Sequence, residues 1–137
     1  MFVASLLGRK FSIITVVDSV VPSLKKMVRT AGLEQRLASV RPTDIPVLEL
    51  GKDKEKTKKL ILEESKKAMK EDGADVIILG CMSMAFLGLS DEFQDDLGIP
   101  VVNPAVVALK ILESLICAHL THSKKAYPTP PKMKNKG

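Results

Sequence analysis

Tryptophan is absent from the 137-residue chain, and aromatic residues make up only 4% of it. The core must therefore be aliphatic, and the interleaved aromatics on which nucleic-acid bases stack are missing. Cysteine is scarce as well. Cys81 and Cys117 are too few for a disulfide framework at this length, and neither belongs to a C-x-x-C pair. A reducing compartment fits that usage, so a cytoplasmic protein is expected. No apolar run reaches the length of a membrane-spanning helix. Met1–Leu7 is apolar but too short for a signal-peptide core, and no basic residues precede it. Nothing matches a phosphate loop, a dinucleotide-binding fingerprint or a nucleophile-elbow serine.

The C-terminal stretch combines many lysines with no acidic residue. Residues 123–137 carry Lys124, Lys125, Lys132, Lys134 and Lys136 and no carboxylate. Without them the rest of the chain balances at sixteen basic and sixteen acidic residues. The formal charge of +5 is thus a property of a tail and not of a domain. Such a tail reads as a solvated terminus, and neither nucleic acid nor membrane is expected as a partner. What remains is 45% hydrophobic and long enough for one domain with a real core.

The chain is organised around Ala74–Met84. The apolar run Val76-Ile77-Ile78-Leu79 ends in Gly80 and Cys81, and small or flexible apolar residues lead on into a helix. A continuous apolar run of this length is the pattern of a buried parallel strand. Ligand-binding residues of open α/β sheets sit at the carboxyl ends of strands, which is where Cys81 falls. A thiol at a helix N-terminus also has a route to the thiolate, because the dipole and free N–H groups stabilise negative charge. Free cysteine is equally a common core residue, and strand position alone leaves the two readings even.

Along the chain, Met1–Leu7 reads as the end of a helix closed by Gly8. Phe11–Val17 is a strand, and Asp18-Ser19 a turn into a helix that ends at Gly32. Leu37–Arg41 is a weaker strand and Pro46–Leu50 a short extended stretch. A helix opens at Gly51–Asp53 and stops at Gly73, with Ile61, Leu62, Ser65, Ala68 and Met69 facing inward and Glu63–Lys67 pairing on the surface. After the strand 75–79, helical pieces at Met84–Leu89 and Asp91–Leu97 precede a strand at 99–102. Asn103-Pro104 then opens a helix that packs through Val107, Ala108, Ile111, Leu112, Leu115 and Ile116. Beyond His119 the pattern dissolves into a Pro/Lys tail.

Alternating helices and strands predict an α/β fold: a single lobe, residues 1–120, with a parallel, roughly four-stranded sheet flanked by helices. Residues 121–137 are expected to be a disordered basic tail. One sheet rim would carry Thr15–Asp18, Gly80–Ser83 and Asn103. Cys117, His119 and His122 lack a fourth ligand and read as a fraying helix end, so no metal is expected.

Four segments carry a resemblance. Leu6–Thr15 (LLGRKFSIIT) resembles the "LLGRRFSVVTT" stretch of the hydantoin racemases, in the aspartate/glutamate racemase superfamily. Ala38–Arg41 with Ile45–Leu50 resembles "SVR…PVLEL". Asp75–Met84 (DVIILGCMSM) is similar to "AIVLGCAGM", and Gly98–Pro104 to "GIPVIDP". The matches run in order from residue 6 to about 118. The resemblance implies a flavodoxin-like half of a two-lobed fold in which each lobe supplies one cysteine. One thiolate removes the proton beside the substrate carbonyl, and the other thiol reprotonates the opposite face, with no metal or other cofactor. Cys81 falls on the second-lobe cysteine. Thr15 and the backbone at Met82 and Ser83 fall on positions that hold substrate carboxylate or carbonyl oxygens. Val16 stands where a second threonine is common, and Asn103 where aspartate is common. The matched stretch is the second lobe, so the first lobe is expected to come from a separate chain or from a homo-oligomer pairing Cys81 with its copy. The alternatives are a non-catalytic lobe that binds a small carboxylate or a protein partner, and a one-cysteine decarboxylase of the same superfamily.

Overall fold

The computed structural model describes residues 1–130. It divides into two units, the first Met1–Val107 and the second beginning at Ala108. The expected tail lies in the second unit, and its residues 131–137 lie outside the described residues.

In the first unit, α1 (Phe2–Leu7), β1 (Phe11–Thr15), α2 (Val21–Thr30), β2 (Leu37–Pro42) and α3 (Lys54–Asp72) follow in that order. β3 (Val76–Leu79), α4 (Met82–Ala85), α5 (Ser90–Leu97) and β4 (Val101–Val102) come next, and α6 (Pro104–Cys117) starts here. The strands form one parallel sheet in the order β2-β1-β3-β4. Ile14 lies opposite Leu79, and Thr15 opposite Pro42.

Every residue of β1, β3 and β4 is buried, which is why β3 and β4 read as unbroken apolar runs and β1 as a mostly apolar one interrupted by Ser12. Alternation along each strand sorts their side chains to two faces. Ile14, Ile77, Leu79 and Val101 join Ile61 and Ala68 of α3 and Phe93 and Leu97 of α5 in one core. Phe11, Ile13, Val76, Ile78 and Val102 join Ala4 of α1 and Val28 of α2 in the other, with Val107 packed at its margin.

The longest helix, α3, has both ends written into its sequence. Asp53 caps the start by accepting the Lys56 N–H at 2.9 Å, and Gly73 closes the end at φ +73°, in the left-handed region. Thr57, Ile61, Ser65 and Ala68 are buried along its inner face, while Leu62 and Met69 are half-buried. Its surface pairs differ from expectation: Lys67 reaches Glu64 at 2.6 Å, and Glu63 meets Lys59 at 3.9 Å.

Three expectations are corrected. Pro46–Leu50 is not extended. Val47–Glu49 turns as a 3-10 segment, with the Glu49 N–H donating to the Pro46 carbonyl at 2.8 Å, because this segment lies outside the sheet and buries only Leu50. The helix expected over Met84–Leu89 is instead a single turn, Met82–Ala85. Finally, of the α6 residues expected to pack, Val107 does so within the first unit. In the second unit Ala108, Ile111, Leu112, Leu115 and Ile116 are all exposed, Ile116 to 73%. That unit has no further helix or strand among its described residues to exclude water from them.

Candidate active site

The strand order fixes where a site can form. From β1 the chain crosses to β2 on one side, and β3 and β4 lie on the other. The carboxyl ends of β1 and β3 therefore flank the point at which the winding reverses, the place where open α/β sheets form a crevice. Thr15 ends β1 there, and Gly80 and Cys81 follow β3.

Gly80 sets the approach of the two strand ends. Its N–H donates to the Ile14 carbonyl at 2.7 Å. A Cβ on Gly80 would stand 2.5 Å from Ile13 Cγ2, 3.0 Å from the Ile14 carbonyl oxygen and 3.3 Å from Thr15 Cβ. Glycine fits this position because the Ile13 side chain, with the Ile14 carbonyl beside it, occupies the space of a side chain.

Cys81 is half-buried and is the N-cap of α4, in extended conformation at φ −129°, ψ 134°. Its side chain makes no capping hydrogen bond. Its carbonyl accepts the Ala85 N–H at 3.1 Å, and Phe86 donates to Met82 at 3.0 Å. The N–H groups of Met82 and Ser83 lie in the first turn, where a helix offers no internal acceptor. Met82 is exposed and Ser83 half-buried, while Met84 and Ala85 are buried beneath them. Thr15 is 1% exposed, and its carbonyl accepts both the N–H and the hydroxyl of Thr43, at 2.9 and 3.2 Å. Thus Thr15, Cys81, Met82 and Ser83 are all brought to the same rim of the sheet. Cys117 is exposed and belongs to the second unit.

Residues 1–112 match the sequence profile described as Asp/Glu/Hydantoin racemase. The chain belongs to this family.

Among the family's curated members, hydantoin racemase of Rhizobium meliloti is 38% identical over 92% of this chain and 53% of its own length. Hydantoin racemase of Pseudomonas sp. (strain NS671) is 33% identical over 96% of this chain and 52% of its own. Among solved structures, allantoin racemase from Pseudomonas fluorescens superposes with a TM-score of 0.85 at 39% identity, covering 95% of this chain and 55% of that one. The chain therefore spans about half the length of the relatives it matches.

The rim has supports that carry no local signal in the sequence. Asn103 is buried, and its role goes beyond the expected cap of α6. Its Oδ1 accepts the N–H groups of Ala105 and Val106 at 3.0 and 3.3 Å, while its Nδ2 donates to the Ala85 carbonyl at 2.9 Å. The cap was legible from Asn-Pro; the contact to Ala85, eighteen residues back, had no local signal. At the opposite end of the sheet, Asp75 accepts the N–H groups of Arg9 and Lys10 at 2.9 and 2.8 Å. Burial alone would raise its carboxyl, but these donors outweigh burial and hold it below its ordinary value. A cavity of about 350 Å³ opens beside Thr43 and Ile45, lined also by Asp44, Lys52 and Lys56. Cys81 and Thr15 do not line it. Among the described residues no cluster of three or more His, Cys, Asp or Glu can hold a metal ion, and no helix is long and apolar enough to cross a membrane.

Proposed function

We propose that this chain is one lobe of a cofactor-independent racemase acting on a hydantoin or an amino-acid-like substrate, with Cys81 as its acid/base residue. The observation that carries the reading is the place of Cys81. It follows β3 at the reversal of strand order, beside Thr15, in a family whose similar members are hydantoin and allantoin racemases. In one direction the Cys81 thiolate takes the proton from the substrate carbon next to the carbonyl. The electron pair left behind moves onto the carbonyl oxygen. The N–H groups of Met82 and Ser83 and the Thr15 hydroxyl hold the carbonyl and carboxylate oxygens as that charge develops. In the other direction the Cys81 thiol returns a proton to the carbon. A side chain that is base one way and acid the other needs a pKa near the working pH, within the reach of a thiol.

Inversion requires a proton donor on the opposite face, which a single Cys81 cannot reach. A second lobe supplies it. The apolar surface of this chain supports such a covering. Phe2 and Leu6 on α1 are 64% and 83% exposed, and Leu109, Leu112 and Ile116 stand exposed on α6. A helix apolar on most sides normally lies buried. Cys81 is the one thiol at this rim among the described residues, which fits equally a second reading, a lobe that binds a small carboxylate or a partner without turnover.

Exchange of the substrate α-proton into deuterated water distinguishes the two. The test compares hydantoins and amino acids, native protein and Cys81→Ala, with and without a co-expressed first-lobe polypeptide. Cys81-dependent exchange supports the racemase lobe, and its absence even with a supplied first lobe supports the binding lobe. Loss of carbon dioxide from a substituted malonate would instead mark the decarboxylase.

A further inference from the structure

We infer that Asn103 is a positioning residue for Cys81, acting through the last turn of α4; this rests on the role proposed above for Cys81. The connection has two hydrogen bonds. Asn103 Nδ2 donates to the Ala85 carbonyl at 2.9 Å, and the Ala85 N–H donates to the Cys81 carbonyl at 3.1 Å. The peptide that carries the thiol is thereby linked to the start of α6. A weaker contact at 3.4 Å adds the Ser90 hydroxyl, at the start of α5.

The orientation of the amide follows from its neighbours. On one side stand two N–H groups, those of Ala105 and Val106, which need an acceptor. On the other stands a carbonyl, which needs a donor. Asparagine has both on one planar group, with its side-chain length matched to the gap. Aspartate keeps the acceptor for α6 but turns a second acceptor toward the Ala85 carbonyl. Serine keeps a good helix cap but is too short to serve both sides. Asn103 is 7% exposed and Ala85 4%, so water does not readily replace a lost contact. Because α4 is a single turn of four residues, it has little stiffness of its own. Its hold on Cys81 depends on what pins its far end: Met84 in the core below, and Asn103 at the Ala85 carbonyl.

The experiment uses the full chain in a Cys117→Ser background, so that Cys81 is the remaining thiol. Asn103→Ser and Asn103→Asp are compared with the parent by backbone amide exchange and by the pH profile of Cys81 alkylation with iodoacetamide. In both variants Ala105 and Val106 should stay protected, because the cap survives. The Ala85 and Phe86 amides should exchange about tenfold faster, the scale of one lost buried hydrogen bond. The alkylation profile should change in both variants, as the turn that carries Cys81 loses its anchor at the Ala85 carbonyl. Unchanged α4 exchange and an unchanged profile in Asn103→Ser would reduce Asn103 to a cap and overturn the proposal. A profile that moves only in Asn103→Asp would be a charge effect and overturn it equally. Should Asn103→Ser not fold, Asn103→Thr keeps the cap and provides the same comparison. Neither readout needs turnover. A native protein without α-proton exchange but with these shifts would remove the racemase reading alone.

Discussion

Gly80 lies so close to Ile14 that its N–H and the Ile14 carbonyl are 2.7 Å apart, with no space between them for a side chain. That contact sets the last rung between β1 and β3, one residue before Cys81. Gly80→Ala would drive a methyl group into Ile13 Cγ2 and the Ile14 carbonyl. The strands must part, at a cost of about 1–3 kcal/mol. Urea denaturation of Gly80→Ala should show this loss, and Cys81 should alkylate at an altered rate in the folded protein. An unchanged midpoint would mean that the strands part without cost.

Arg41, at the end of β2, grips the end of α3. Its Nε and Nη2 hold both oxygens of Asp72 at 2.6 and 3.0 Å, Nη2 also reaches Glu71 at 2.6 Å, and Nη1 stands 3.5 Å from Glu64. Two carboxylates at a helix C-terminus oppose the dipole, and Arg41 offsets that repulsion. Arg41→Met removes the only cation bonded to Glu71 and Asp72 among the described residues. The expected loss is about 1–2 kcal/mol, the scale of hydrogen bonds to charged groups discounted for partial solvent contact. Raising the salt concentration should shrink the difference between parent and variant.

Two carboxyls give the fold an acid limit. The hydrogen bond from Arg41 holds Asp72 below its ordinary value against the opposing effect of burial, and Asp75 is held below its own by the Arg9 and Lys10 N–H groups. A depressed folded pKa means that the unfolded chain binds protons first as pH falls. The stabilisation is therefore full above the unfolded aspartate value of about 3.9 and is lost as pH drops through the lower folded values. Asp75→Asn should be less stable than the parent at neutral pH, with the gap closing in acid. A gap that stays constant with pH would contradict this assignment.

Ser65 provides a contrast. It is fully buried in α3, yet among the described residues its hydroxyl bonds only to the Ile61 carbonyl of its own helix, at 2.7 Å. Such back-bonding adds little to a helix, and alanine has the higher helix propensity. Ser65→Ala should leave the urea midpoint unchanged or slightly raised. A loss above about 1 kcal/mol would show that the hydroxyl has a further role.

Much of this was legible in the sequence because it was written in local patterns. The apolar runs gave β1, β3 and β4, and Asp53 with Gly73 gave both ends of α3. The strand β2 was faint because of its six residues only Val40 is buried, so its hydrophobic pattern is diluted. Cys81, Thr15, Met82 and Ser83 were legible as rim residues by counting to strand ends. What sequence could not reveal is what joins those ends. The close approach at Gly80, the Arg41 grip on α3 and the Asn103–Ala85 bond link residues far apart in the chain. Periodicity in α6 likewise reports a face that wants to be buried, and not what buries it.

The central claim is that Cys81 moves the substrate α-proton, and its most direct test is proton exchange into deuterated water followed by NMR. The native protein, with its complementary lobe supplied, should incorporate deuterium at the α-carbon of a hydantoin, and Cys81→Ala should lose that exchange at least about a hundredfold, the scale of one acid/base group. Equal exchange by the native protein and Cys81→Ala would contradict the account.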